Sequence, residues 1–263
     1  MCYNYFIKGV IMPAYIGHTI MARDVYKKID NKNVSRDYMI TFSLGADLSK
    51  YSKCRRDTHN RLQNEFIYNM CDYMKENNLT HDPECLGVLY GHICHLMMDS
   101  TIHPLIWYVD EKCVKNKRNH TMIEMYYDNY LSLKHYDLRL DHHKNKELFK
   151  GKINKKISKL LNETYIKTYN CKHISFYYKF NIWLYKKITY LYLLVPFNIL
   201  KKIVGINSFL DRNKGINLIN EDNKIEFRGY DKKMSKKDLN YLYDLSIKRS
   251  IEYIKQVNDY LYK

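Results

Sequence analysis

Three residues in the first half of the chain recur at a fixed interval. His95, Asp99 and His103 lie in the run Gly91-His-Ile-Cys-His-Leu-Met-Met-Asp-Ser-Thr-Ile-His-Pro104. Positions i, i+4 and i+8 stack along one face of an α-helix. At 1.5 Å rise per residue, neighbours stand about 6 Å apart along the axis and the ends about 12 Å. Such a stripe places His95 and Asp99 on one cation, with His103 set for a second and Asp99 between them. The flanks agree with a helix. Asp82 is a good N-cap and Pro83 fits a first turn, while Pro104 is expected to limit the helix near His103.

A second pair follows at the same spacing, His120 and Glu124, with Asp128 one turn further on. Imidazole nitrogen and carboxylate oxygen are ordinary zinc ligands, and a helical pair brings both to one ion. Asp128 suits an outer role, hydrogen-bonding a ligand histidine. One such spacing alone is more often an exposed or satisfied pair than a ligand set. Two consecutive segments carrying it, one with three members, favour a ligand set.

The rest of the chain must supply the frame. Turns draw on Gly and Pro, and only 9 and 4 of these occur among 263 residues. An all-β fold is therefore disfavoured. Apolar periodicity predicts helices over 13–30, 55–78, 85–103, 117–136, 153–169, 175–194 and 236–262. Leu44-Gly-Ala-Asp47 reads as a loop, as does the Asn/Gly/Asp-rich stretch 205–231. Ser235 and Asp238 resemble a capping box ahead of the last helix. The expectation is an all-α fold forming one domain over 12–263, with the metal ligands in 12–130 and a helical part over 131–263. Residues 1–11 read as an extension of uncertain status before Met12-Pro13.

The net charge of +16 attracts anions: phosphate esters, nucleic acid or an anionic membrane. The seven cysteines form no CxxC pair, which argues against a Cys zinc site or a disulfide framework and suits a reducing, cytoplasmic setting. No secretory signal is legible. The most apolar stretch, Ile188–Leu200, is 13 residues long and contains Pro196, too short to span a bilayer. Its lysine flanks suit an interfacial contact.

In its order of residues the chain resembles the bacterial zinc-dependent phospholipase C family, in the superfamily that also holds single-strand nucleases. Met12-Pro-Ala-Tyr-Ile-Gly-His18 resembles the opening of that family. Gly45-Ala-Asp47 resembles its glycine-aspartate loop, and Asp57-Thr-His59 its next ligand. Gly91–Pro104 and His120–Glu124 resemble its two ligand helices. The resemblance implies a multi-helix bundle with a zinc cluster between helices, holding two or three ions. Asp47, His59, His95 and Asp99 would hold the first. His103, His120 and Glu124 would hold the second. His18 with a shared Asp99 would contribute to a third. It further implies that a zinc-activated water attacks phosphorus, with Asp47 as the base. The chain departs from the choline-type enzymes at Leu48 and Arg56, where they carry aromatic residues, so no aromatic cage for a quaternary ammonium is evident.

The expected activity is thus hydrolysis of a phospholipid headgroup ester or another phosphodiester. The alternatives are a single-strand nuclease using the same cluster and a non-catalytic protein binding anionic membrane. Glu124 favours the phospholipase, since the nucleases usually carry Asp there.

Overall fold

The structure is a computed structural model that describes residues 15–31, 33–60, 62–112, 127–128, 131–132, 134–135, 148–194, 225–227, 230–234 and 236–263. Its centre is a long helix, α5, spanning Pro83–Lys112. Before it come α1 (Tyr15–Lys28), α2 (Arg36–Phe42), a 3-10 turn (Gly45–Ser49), α3 (Arg55–Asn60) and α4 (Gln63–Glu76). After it come α6 (Lys155–Tyr169), α7 (Ile174–Leu194) and α8 (Lys236–Leu261). Ile225–Phe227 and Tyr230–Met234 pair as a short antiparallel hairpin, β1 and β2. Among the described residues the fold is all-α apart from this hairpin.

α5 is apolar on nearly every side through its first half. Cys85, Leu86, Val88, Leu89, Tyr90, Ile93 and Cys94 are all fully buried. A helix without a polar face must be surrounded, and α1, α2, α4 and α8 pack around it. Gly87 and Gly91, one turn apart, set how closely α2 approaches. A Cβ at Gly87 would lie 2.7 Å from Ser35 O, and one at Gly91 2.7 Å from the Phe42 carbonyl carbon. Only hydrogen at these two positions lets the helices meet backbone to backbone. The resulting hydrophobic cluster is continuous from Ile16 to Leu261.

Several helix boundaries follow local chemistry. Asp82 Oδ1 accepts from the backbone N–H of Glu84 and Cys85, each at 3.0 Å, and Pro83 opens α5. Asn154 caps α6 through Ile157 N–H, and Asn170 closes it in the left-handed region at φ 52°.

Three expectations are corrected. α5 does not stop at His103 but continues through Pro104 to Lys112. A proline inside a helix costs about 3 kcal/mol. Leu105 and Ile106 beyond it are 4% and 3% exposed, and burying each is worth roughly 1.5–3 kcal/mol, which offsets the break. The single helix predicted over 55–78 is two, broken around Leu62 at φ 53°. Gln63 Nε2 donates to the Thr58 and His59 carbonyls at 3.2 and 3.0 Å, satisfying the end of α3 and turning the chain there. The predicted loop over 205–231 contains β1 and the start of β2. Residues 127–128, 131–132 and 134–135 are helical, as expected for 117–136. Ser235 lies outside the described residues. Among the described residues, no helix is long and apolar enough to cross a membrane.

Candidate metal centre

Asp99 is the hub of the site. α5 presents His95, Asp99 and His103 on one face, as their spacing predicts. Asp99 Oδ2 stands 3.3 Å from His95 Nε2, and Oδ1 stands 3.5 Å from His103 Nε2. α1 packs on α5 and delivers His18, whose Nε2 lies 3.2 Å from Asp99 Oδ1. The His18 and His95 rings face each other with centroids 4.6 Å apart. One ligand atom each from His18, His95 and Asp99 lie within 4.8 Å of one another, a spacing that a single ion can bridge.

The second part of the site comes from the 3-10 turn and α3. His59 Nε2 lies 3.1 Å from Asp47 Oδ1, and the His59 ring meets His95 edge-on at 6.0 Å between centroids. The break before α4 makes this possible, because α3 ends at Asn60, next to His59, instead of carrying His59 along one long helix. His59 Nδ1 donates to Arg55 O at 3.1 Å, so Nε2 is the nitrogen turned inward.

Gly45 seats this loop against α5. Its φ is +43°, and a Cβ there would lie 2.3 Å from His95 Cγ. The position therefore requires glycine for conformation and for space alike. Tyr178 of α7 donates to Gly45 O at 2.9 Å, and Asn181 donates to Leu48 O at 2.8 Å. Tyr178 also meets His92 Nε2 at 3.0 Å and Tyr165 hydroxyl at 2.7 Å. His92 Nδ1 donates to Val88 O at 2.9 Å, so the neutral ring offers Nε2 as an acceptor. Tyr178 thus has one proton for two acceptors, His92 Nε2 and Gly45 O, while its own oxygen accepts from Tyr165.

Electrostatics separate the histidines. Burial pushes His95 down to about 4, against the pull of Asp99. Burial also depresses His59, but the Asp47 carboxylate outweighs it and raises the imidazole to about 9. His18 is likewise raised, with Asp99 overcoming its burial. Burial works against ionised Asp47, yet its His59 partner holds it down to about 2. Asp99 is driven well below the usual carboxylate range: burial opposes ionisation, but His95, His103 and His18 prevail.

These groups fit a divalent cation. His95 is 3% exposed, and neither of its ring nitrogens has a hydrogen-bond partner among the described residues; His18 Nδ1 is in the same state. His95 Nε2 is close to Asp99 but not aligned for a hydrogen bond. Leaving a buried polar atom unpaired costs about 1–3 kcal/mol, and coordination at Nε2 would remove that cost. The donor set of imidazoles and carboxylates, with no thiolate among them, suits zinc. In metal-free protein, a proton on His59 supplies positive charge beside the Asp47 carboxylate.

Of the eight ligands expected from sequence, His18, Asp47, His59, His95, Asp99 and His103 converge here. His120 and Glu124 lie outside the described residues. Asp128 is buried and accepts from the backbone N–H of Ile16 and Gly17 at 3.1 and 2.7 Å, so it anchors the start of α1 immediately before His18. His92, Tyr165 and Tyr178 were not legible as site residues. Their only sequence signal is that His92 precedes His95 by three positions. No protein-family model, curated protein or solved structure matches the chain.

Proposed function

We propose that the chain is a zinc-dependent phosphodiester hydrolase of the phospholipase C type. The observation that carries the reading is the convergence of three imidazole Nε2 atoms within 3.5 Å of the Asp99 carboxylate, from two helices that place His18 77 and 85 positions from His95 and His103. A structural salt bridge needs one partner, whereas three imidazoles around one carboxylate, with a second Asp–His pair alongside, suit an ion cluster. His18, Asp47, His59, His95, Asp99 and His103 would hold zinc, joined by His120 and Glu124 from the ligand order. Bound zinc supplies Lewis acidity, lowering the pKa of water toward 7 and neutralising charge that grows on the phosphoryl oxygens.

The chain's own groups divide the remaining work. Asp47 is about twice as exposed as Asp99, at 28% against 13%, and so reaches the solvent side of the cluster. It is ionised at neutral pH and can accept a hydrogen bond from the attacking water, orienting it. Asp99 sits deeper and orients three rings. Arg55, exposed at the start of the helix that carries His59, would pair with a phosphate oxygen from outside.

The test joins metal content to activity. Purified protein should contain zinc by elemental analysis and hydrolyse a phospholipid or a chromogenic phosphodiester, and His95→Ala should abolish both. Metal-loaded protein that cleaves neither substrate, with His95→Ala indistinguishable from it, would reject the reading. The net charge of +16 favours a second reading, a single-strand nuclease on the same cluster. Intact single-stranded DNA and RNA after incubation would dismiss that alternative.

A further inference from the structure

α7 has two faces with different duties. Its buried face holds the site loop through Tyr178 and Asn181. Its outer face exposes Phe176, Phe180 and Trp183, at i, i+4 and i+7, with 65%, 40% and 53% of their surfaces in solvent. Large apolar side chains are seldom left exposed in a row on a soluble helix. Phe180 also packs edge-on against Tyr51, itself 44% exposed and two residues beyond the turn that carries Asp47. Exposed lysines alternate with these rings, at Lys179, Lys186 and Lys187. α7 contains no acidic residue, and its last turns, Ile188–Leu194, carry no charge.

We propose that this aromatic and basic stripe on α7, with Tyr51, is a docking surface for an anionic lipid bilayer. Rings of Trp, Tyr and Phe settle at the headgroup boundary, and neighbouring lysines meet lipid phosphates. Three lysines with no acid on their own helix are complementary to a negative surface. A second copy of the chain would bring the same lysines face to face in a symmetric contact. A nucleic-acid strand would stack its bases on the same rings, and an oligonucleotide in the test separates it from a bilayer. The Gly45 and Leu48 carbonyls are bonded to the inner face of this helix, so docking sets the site loop one helix diameter, about 10 Å, from the bilayer. That last consequence rests on the proposed hydrolase; the docking surface does not.

The test uses the full chain, chelated, with vesicles of phosphatidylcholine alone and of phosphatidylcholine mixed with phosphatidylglycerol. The protein should sediment with the mixed vesicles, and less so as salt rises. The variant F176S/F180S/W183S should keep its circular dichroism and lose binding by about tenfold or more. Quenching of tryptophan emission by brominated lipid should be present in the full chain and absent in W183F. His95→Ala should bind vesicles like the unaltered chain. Equal vesicle binding by the triple variant, or no vesicle binding by the unaltered chain, would overturn the proposal. So would binding of a single-stranded oligonucleotide that the triple variant loses while vesicles are ignored. Hydrolysis of a soluble chromogenic diester reports the metal centre alone. If that hydrolysis is missing while the vesicle results hold, the catalytic reading falls and the docking surface stands.

Discussion

At the scale of single residues, the site is set by constraints that leave little latitude. Gly45 is the sharpest case, since its φ of +43° and the 2.3 Å gap from a Cβ position to His95 Cγ act together. Gly45→Ala should destabilise the protein by about 2–4 kcal/mol, the sum of left-handed strain and overpacking. Denaturant unfolding would measure this, and zinc content should fall in the same variant. If instead the alanine protein is as stable and as rich in zinc, the loop does not seat against His95 as described. His92 supports a prediction in pH. Burial lowers its pKa from 6.5 to about 4, so the folded ring stays neutral where the unfolded one gains a proton. Its contribution to stability is therefore present above 6.5 and is lost as pH falls toward 4. His92→Gln should cost about 1–3 kcal/mol near neutral pH through the lost hydrogen bonds. In chelated protein that deficit should shrink by about 2 kcal/mol near pH 5, since glutamine takes up no proton in either state. A deficit that is constant, or grows, on acidification would show that His92 is not held neutral.

At the scale of elements, α7 matters more to the site than its distance in sequence suggests. Tyr178 reaches Gly45 across 133 positions and is the shared donor for Gly45 O and His92 Nε2. Tyr178→Phe leaves both buried acceptors competing for nothing and should cost about 1–3 kcal/mol, with weaker zinc binding in titrations. Tyr165→Phe removes only the bond into the Tyr178 oxygen and should do less on both counts. If Tyr165→Phe proves the more harmful, the proton order assigned to this network is reversed. The contrast between these residues and His95, Asp99 and His103 shows what a sequence displays. The stripe on α5 is visible because its members share one helix, where spacing is geometry. The Asp82–Pro83 start is visible because a cap acts within four residues. The break before α4 was hidden, since it depends on Gln63 folding back onto α3, and a periodic apolar pattern runs straight across it. The passage of α5 through Pro104 was hidden too, because burial of Leu105 and Ile106 by other elements decides it. Tyr178 carried no local mark at all among 27 tyrosines. The ligands His18, Asp47 and His59 were legible only through their order in the chain, and their meeting depends on α1, the 3-10 turn and α3 all packing around α5.

At the scale of the whole molecule, the cluster joins four elements that otherwise touch mainly through apolar contacts. His18 comes from α1, Asp47 from the 3-10 turn, His59 from α3, and His95, Asp99 and His103 from α5. An ion held by such a set binds the folded chain and not the unfolded one, so its binding free energy adds to folding. At a free concentration a thousandfold above Kd, one site contributes about 4 kcal/mol. A chain of this size shifts its Tm by roughly 2–4 °C per kcal/mol. Chelation should therefore lower Tm by roughly 8–16 °C, and zinc should restore it. Asp99→Asn offers the decisive control, because one substitution weakens the hub shared by His18, His95 and His103 while keeping its volume. Its Tm should respond little to chelation or to added zinc. The variant should also lower the pKa of His18, since the carboxylate that offsets the cost of burying that imidazolium is gone. Calorimetry with and without chelator measures the first effect, and histidine NMR titration of chelated protein the second. An unaltered chain whose Tm ignores both chelator and zinc would mean that the six side chains meet as a hydrogen-bonded polar cluster, and the metal assignment would fail with it.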